Sequence, residues 1–234
     1  MTPRQRTIRS FAWLLGLMIL GAVFWWGWAK PRALTVVEGS GKLWSKLSDN
    51  RRLNTHPAPP PGKEVRVNGD IGLETPIDLA RWTVDVIRDD AKPLRLKMAD
   101  ILALPKSETS TLFFCIEGWS DPLSYAGARF SDFLDRFGLG KDPEGGMYRY
   151  VGLATPDGKY YVSLDMESML HPQTMLAYEL NGRPIEVENG APLRLVIPIK
   201  YGIKSLKRVG KIFFSNRRPP DYWAERGYDW FAGL

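Results

Sequence analysis

From Ser10 to Ala29 the chain runs for 20 residues without a charge, S-F-A-W-L-L-G-L-M-I-L-G-A-V-F-W-W-G-W-A. As an α-helix such a stretch is about 30 Å long, the thickness of one hydrocarbon core, so residues 10–29 are read as a transmembrane anchor. Trp25, Trp26 and Trp28 gather at its far end, where an interfacial aromatic belt would lie. Arg4, Arg6 and Arg9 precede the span, and Lys30 and Arg32 follow it, with no acid among them. These flanks supply +5 of the formal net charge of +6, leaving only +1 for everything after residue 32. The basic balance therefore belongs to the flanks, and no nucleic-acid partner is expected. The competing reading is a cleaved export signal. The span is long for one, W-G-W-A-K-P lacks a small-residue cleavage pattern, and no adjacent arginine pair precedes it.

Beyond the anchor the chain divides by composition. Residues 1–9 form a basic flank. Residues 30–64 read as a linker or an arm lying over the domain, because Pro57, Pro59, Pro60, Pro61 and Gly62 oppose regular structure. Residues 65–234 read as one folded domain, for which a hydrophobic content of 44% is ample. Arg81–Arg88 alternates as a half-buried strand, Leu94–Leu104 predicts a helix, and Ser110–Ile116 a buried strand ending at Gly118. Phe130–Phe137 predicts an amphipathic helix stopped by Gly138. Met147–Ala154, Tyr160–Leu164, Thr174–Glu179 and Pro192–Pro198 predict strands, with turns at Thr155-Pro-Asp-Gly158 and Asn181-Gly182. Met166–Leu170 reads as a short helix, and Ile203–Phe214 as a helix or a helix leading into a strand. The expected class is mixed α/β (α+β), without a glycine-rich nucleotide loop or an internal repeat.

Cys115 is the only cysteine, which excludes a disulfide scaffold or a cysteine-rich metal cluster. It sits in Thr111-Leu-Phe-Phe-Cys-Ile-Glu-Gly-Trp-Ser120, where a hydrophobic run delivers it to a turn. A lone cysteine can be a small core hydrophobe, a nucleophile or a single thiolate metal ligand. Asn189 to Pro220 carries eight positive residues and no acid: Arg194, Lys200, Lys204, Lys207, Arg208, Lys211, Arg217 and Arg218. This is either a solvated face or an anion site. On a helix, Lys200, Lys204, Lys207 and Lys211 would share one side. In an anion site, Gly202 would free the backbone for close approach while Lys204 and Ser205 grip a phosphate.

Three ordered motifs sharpen the choice: His171-Pro-Gln-Thr-Met-Leu-Ala-Tyr-Glu-Leu-Asn-Gly182, Asn189-Gly-Ala-Pro-Leu-Arg-Leu-Val-Ile-Pro198 and Lys200-Tyr-Gly-Ile-Lys-Ser205. Together with the cysteine segment and Arg218-Pro-Pro-Asp-Tyr-Trp223, they resemble the molybdopterin-binding domain of the sulfite oxidase family. The nearest branch is the bacterial one containing protein-methionine-sulfoxide reductase catalytic subunits. The resemblance covers the chain from about Arg51 to the end. It implies the sulfite oxidase fold around one molybdopterin without an attached nucleotide, with molybdenum held by the pterin sulfurs and Cys115. It further implies that Lys200, Tyr201, Gly202, Lys204 and Ser205 hold the pterin phosphate, with Arg194 and His171 near the pterin. Asn54 and His56 would reach the cofactor from the arm, and Trp119, Tyr125 and Asp165 would line the catalytic pocket. Trp119 read from its residues alone is equally a core aromatic.

One departure stands out. The branch carries an arginine immediately before its cysteine, and here that residue is Phe114. The expected activity is oxygen-atom transfer on S-oxide or N-oxide substrates, small or protein-bound, in a domain facing the periplasm from the bacterial inner membrane. The sequence has no Cys-x-x-Cys-His heme attachment, so a separate membrane heme protein is the expected electron partner. The alternative is a non-catalytic binding or assembly subunit that keeps the cofactor fold.

Overall fold

The computed structural model describes Met18, Gly21 and residues 52–87 and 93–234. The anchor read over residues 10–29 lies outside them apart from Met18 and Gly21, as does the linker up to residue 51. Among the described residues no helix is long and apolar enough to cross a membrane. The chain divides into two compact units, Met1–Leu47 and Ser48–Leu234, and every strand among the described residues belongs to the second.

Two five-stranded sheets build that unit, giving the α/β fold expected. The first orders its strands β2 (Leu94–Lys97), β1 (Thr83–Ile87), β10 (Lys211–Ser215), β5 (Tyr150–Ala154) and β6 (Tyr161–Asp165). Only β1 and β10 run parallel in it. The second orders β3 (Lys106–Phe114), β4 (Ser120–Arg129) and β7 (Met175–Leu180), whose far edge pairs with both β8 (Arg183–Pro184) and β9 (Arg194–Val196).

The period-2 pattern decides which face each residue takes. Val84 and Val86 of β1 face the main core and lie opposite Leu96 and Leu94 of β2. On β7, Leu176 and Tyr178 join the main core, while Met175, Ala177 and Leu180 join a second cluster on the other face with Leu123, Tyr125 and Val196. The second sheet is thus covered on both sides, and its second face becomes one wall of the candidate site. Helix α2 (Phe130–Phe137) buries Phe130, Phe133 and Leu134 at i, i+3 and i+4 and ends at Gly138 with φ 60°, as its spacing predicts.

Two predicted elements differ. Leu94–Leu104 is not one helix: β2 occupies its first four residues, and only Met98–Leu102 forms a helix, α1. The alternation of Leu94 and Leu96 matches the neighbouring β1, and tertiary pairing overrides helical propensity. The lysine ladder is not helical either. Gly202–Lys204 is a single 3-10 turn, and the chain leaves it extended to form β10. Lys211 is exposed on β10, whereas Lys200 and Lys204 are buried elsewhere.

Strand β4 bulges where Ala126 and Gly127 meet β7. A Cβ on Gly127 would overlap the Leu176 carbonyl oxygen and crowd Ala177 Cα at 2.6 Å, and both are backbone atoms of a central strand. Gly127→Ala is therefore expected to destabilise the domain by about 1–3 kcal/mol, through overpacking that cannot relax. Urea unfolding should show a lower midpoint with an unchanged slope. A wild-type midpoint would show that the bulge has slack.

Candidate cofactor site

Strand β3 ends in a tight hairpin. Cys115 N–H donates to the Trp119 carbonyl (2.9 Å), Gly118 N–H donates to the Cys115 carbonyl (3.1 Å), and Gly118 adopts φ 89°. This turn delivers Cys115, 6% exposed, to the wall of a cavity of about 350 Å³. The cavity brings together Cys115, Trp119, Tyr125, Arg194, Gly202 and Ser205 from the expected set. A Cβ on Gly202 would overlap the Phe113 ring, so glycine at this place leaves room for that side chain.

Arg194 is the central cation. It is 5% exposed, and its guanidinium donates to the Asn189 carbonyl (3.0 Å) and the Ser205 carbonyl (3.3 Å). Its Nε has no hydrogen-bond partner among the described residues. Its guanidinium carbon stands 5.4 Å from the Tyr125 ring centroid. Burial pushes the Tyr125 phenol up, and the Arg194 charge offsets part of that. Ser205 Oγ accepts from Ile197 N–H at 3.4 Å.

The remaining expected residues lie elsewhere. Asp165 caps the short helix α3 (Met166–Met169), accepting from Ser168 N–H (2.7 Å) and Ser168 Oγ (2.8 Å). Lys204 donates to Asp221 Oδ2 at 2.5 Å and to the Ser163 carbonyl at 3.3 Å, inside the fold. Lys200 Nζ lies 2.8 Å from the Phe231 ring centroid and 3.8 Å from Asp165 Oδ2, with no hydrogen-bond partner among the described residues. Tyr201 N–H donates to the Ala232 carbonyl.

Asn54 pins the arm. Its side chain donates to the Leu112 and Pro198 carbonyls and accepts from Leu112 N–H, while its backbone exchanges two bonds with Gln173. His56 N–H donates to the Ser110 carbonyl, continuing the arm along β3. His171 is buried and accepts from Gln173 N–H at Nδ1 (3.2 Å). Burial pushes its pKa down, and a backbone hydrogen bond at Arg52 opposes this. None of these residues lines the cavity.

Among the lining residues not assigned to the site from sequence are Arg66, Asn68, Asn189 and Lys207. Arg66 stacks over Trp119 with its guanidinium carbon 4.6 Å from the ring centroid, and Trp119 Nε1 donates to Glu117 at 3.1 Å. Asn189 and Lys207 lie inside stretches already singled out. Arg66 and Asn68 carried no local signal in the sequence.

Comparison with known proteins bears on what fills such a cavity. Residues 72–223 match the family described as the oxidoreductase molybdopterin-binding domain. The chain belongs to that family. A putative protein-methionine-sulfoxide reductase subunit from Azospira oryzae is 34% identical over 162 residues, 64% of this chain and 60% of that protein. The catalytic subunit of a Campylobacter jejuni protein-methionine-sulfoxide reductase is 30% identical over 182 residues, 70% of this chain and 60% of that protein. A catalytic subunit of the same name from Xanthomonas axonopodis is 33% identical and matched over 49% of its length. The chain thus spans about half to three-fifths of these relatives. The sulfane dehydrogenase SoxCD from Paracoccus pantotrophus shares the fold, with a TM-score of 0.54 at 21% identity, covering 62% of this chain and 40% of that one.

The cavity of this molybdopterin domain suits such a cofactor. A soft sulfur donor shares it with cations, and the buried Arg194 Nε is left for an acceptor that no described residue provides.

The buried lysines make a separate prediction. Burial lowers the Lys200 pKa from 10.5 to about 7, against an opposing pull from Asp165. Between those pH values the unfolded chain holds a proton that the folded chain does not. Stability should therefore rise with pH across that window, by up to about 1.4 kcal/mol per unit from this group. Lys204 and Lys207, also lowered, act in the same sense. Lys200→Met should flatten the rise between pH 7 and pH 9 in urea titrations. An equal slope in the variant would mean that Lys200 is charged in the folded domain.

Proposed function

We propose that the chain is a membrane-anchored molybdenum–molybdopterin oxidoreductase reducing S-oxide or N-oxide substrates, with Cys115 as the single protein ligand to the metal. The observation that carries this reading is that Cys115 shares one cavity with Arg194, whose buried Nε has no partner among the described residues, within a molybdopterin-binding domain. The relatives named as methionine-sulfoxide reductase subunits support the substrate class.

When bound, the molybdenum–pterin group would supply two-electron oxygen-atom transfer, in which a sulfoxide takes up two electrons and two protons and leaves as the sulfide and one water. The chain's own residues would hold and orient. Arg194, Ser205 and Asn189 would bind the pterin and its phosphate, with Gly202 giving room and Lys207 adding positive charge nearby while its donors hold the Asn68, Gly69 and Glu188 carbonyls. Asp165, Lys200, Lys204, His171 and Asn54 would act at a distance, by fixing the strands and turns that carry those groups. On the substrate side, Phe113 and Trp119, 5.7 Å apart between ring centroids, offer an apolar wall to the carbon groups of the oxide. Arg66 would donate to the oxide oxygen, supplying from a distant segment the cation that Phe114 does not. Glu117 keeps the Trp119 indole in place beneath it. Electrons would come from a membrane heme protein, with the span at residues 10–29 raising its effective concentration.

The full-length chain from a host that makes the cofactor should carry about one molybdenum and one pterin, and Cys115→Ala should lose metal coordination and turnover. Unchanged turnover in that variant with stoichiometric pterin would remove Cys115 from the mechanism. Absence of both metal and pterin would favour a non-catalytic subunit. Arg66→Ala should raise KM for a sulfoxide by roughly tenfold or more, the worth of one charge-assisted hydrogen bond. Equal KM values would leave Arg66 a surface group that merely stacks on Trp119.

A further inference from the structure

We propose that Asn68 is a positioning residue for the Cys115 sulfur, donating an amide hydrogen bond that tunes the thiolate as a metal ligand, and that Lys207 holds Asn68 there. The inference rests on the reading of Cys115 as that ligand. Asn68 Nδ2 lies 3.5 Å from Cys115 Sγ, within hydrogen-bond range for sulfur, although the two residues are 47 positions apart. Nothing in the hairpin of Cys115 brings a side-chain donor to the sulfur. The donor arrives on a separate strap, residues 62–75, that crosses the cavity.

The strap is held by its backbone carbonyls. At its start, Gly62 N–H donates to the Asn181 carbonyl, Asn181 Nδ2 donates to the Lys63 carbonyl, and Lys63 pairs with Asp121. In its middle, Lys207 Nζ donates to the Asn68 carbonyl (2.9 Å), the Gly69 carbonyl (2.9 Å) and the Glu188 carbonyl (2.8 Å). These three bonds use every donor of the ammonium. At its end, Arg208 donates to the Leu73 and Thr75 carbonyls at 3.0 and 2.9 Å. The adjacent pair Lys207 and Arg208 is itself anchored, because Gly190 packs against Lys207 Cβ and accepts from Arg208 N–H. Gly69 turns at φ 71° directly after Asn68. A carbonyl gripped at both Asn68 and Gly69 leaves the Asn68 side chain little choice of direction.

A hydrogen bond to a thiolate withdraws electron density from sulfur, so the metal it binds becomes easier to reduce. Removing the donor should lower the molybdenum reduction potential and move the thiolate-to-metal absorption band to longer wavelength. The test uses the full-length holoprotein in four forms: wild type, Asn68→Leu, Asn68→Ala and Cys115→Ala. Metal and pterin content, the absorption spectrum and a redox titration are read for each. Both Asn68 variants are expected to keep metal and pterin while shifting band and potential in those directions. A wild-type band and potential in fully loaded Asn68 variants would overturn the proposal. Loss of metal from both variants, with the fold intact by circular dichroism, would also overturn it, making Asn68 a loading residue. Persistence of the band in Cys115→Ala would instead sink the ligand reading on which the proposal stands.

Discussion

Four basic side chains from a single stretch of chain are buried, Arg194, Lys200, Lys204 and Arg208, and the domain is arranged around where each finds its partner. Burying an unpaired charge costs several kcal/mol, so every such group must be answered by an anion, a carbonyl or a ring. Arg208 is answered by two carbonyls of the strap, Lys204 by Asp221, and Lys200 by the Phe231 ring and Asp165. Each partner belongs to a segment remote in sequence. These pairings therefore tie the amino-terminal strap, the end of β6 and the carboxyl-terminal residues onto one loop. Arg194 Nε, Arg208 Nε and Lys200 Nζ have no hydrogen-bond partner among the described residues, and of these three residues only Arg194 lines the cavity.

The second sheet explains why that cavity can exist beside a packed core. Its strands give one face to the main core and the other to a smaller cluster, with Tyr125 and Leu123 on the cavity side. The bulge at Gly127 lets β4 press against β7 closely enough that no side chain fits between them. The β3–β4 hairpin then projects Cys115 from a rigid, doubly covered sheet rather than from a loose loop. A residue held in this way suits a role that demands fixed geometry.

Much of this was legible from sequence where the signal was local. The alternation of β1, the i, i+3, i+4 spacing of α2 with its stop at Gly138, and the turns at Thr155–Gly158 and Asn181-Gly182 all appear as read. The hairpin carrying Cys115 was readable because Gly118 follows a β-branched and aromatic run. Strand β4 was not, since Pro122 and the small residues Ala126, Gly127 and Ala128 give neither alternation nor bulk. The lysine ladder misled because a spacing of four and three residues suits a helix. Gly202 and the buried Leu206, Val209 and Ile212 instead demand a turn and a strand. In the cavity, the motif residues Arg194, Gly202 and Ser205 were found by pattern. Arg66 and Asn68 could not be, because their roles depend on a strap whose position is decided by Lys207 and Arg208 far along the chain.

That strap also resolves the one mismatch in the sequence motifs. An arginine beside the cysteine would have to be carried by β3, and Phe114 occupies that place. The cavity receives a cation nonetheless, from Arg66, and receives it stacked on Trp119 rather than aimed along β3. The difference matters for charge. Glu117 accepts from the indole N–H at the edge of the same ring, and Asp70 and Asp121 also line the cavity, so Arg66 is not an unopposed cation there. Such an entrance gives no net attraction to a small dianion, which would favour two or more unopposed cations. On the function proposed above, it would suit a neutral oxide with apolar groups, which would lay its carbon atoms against Phe113 and Trp119 while turning its oxygen toward the guanidinium.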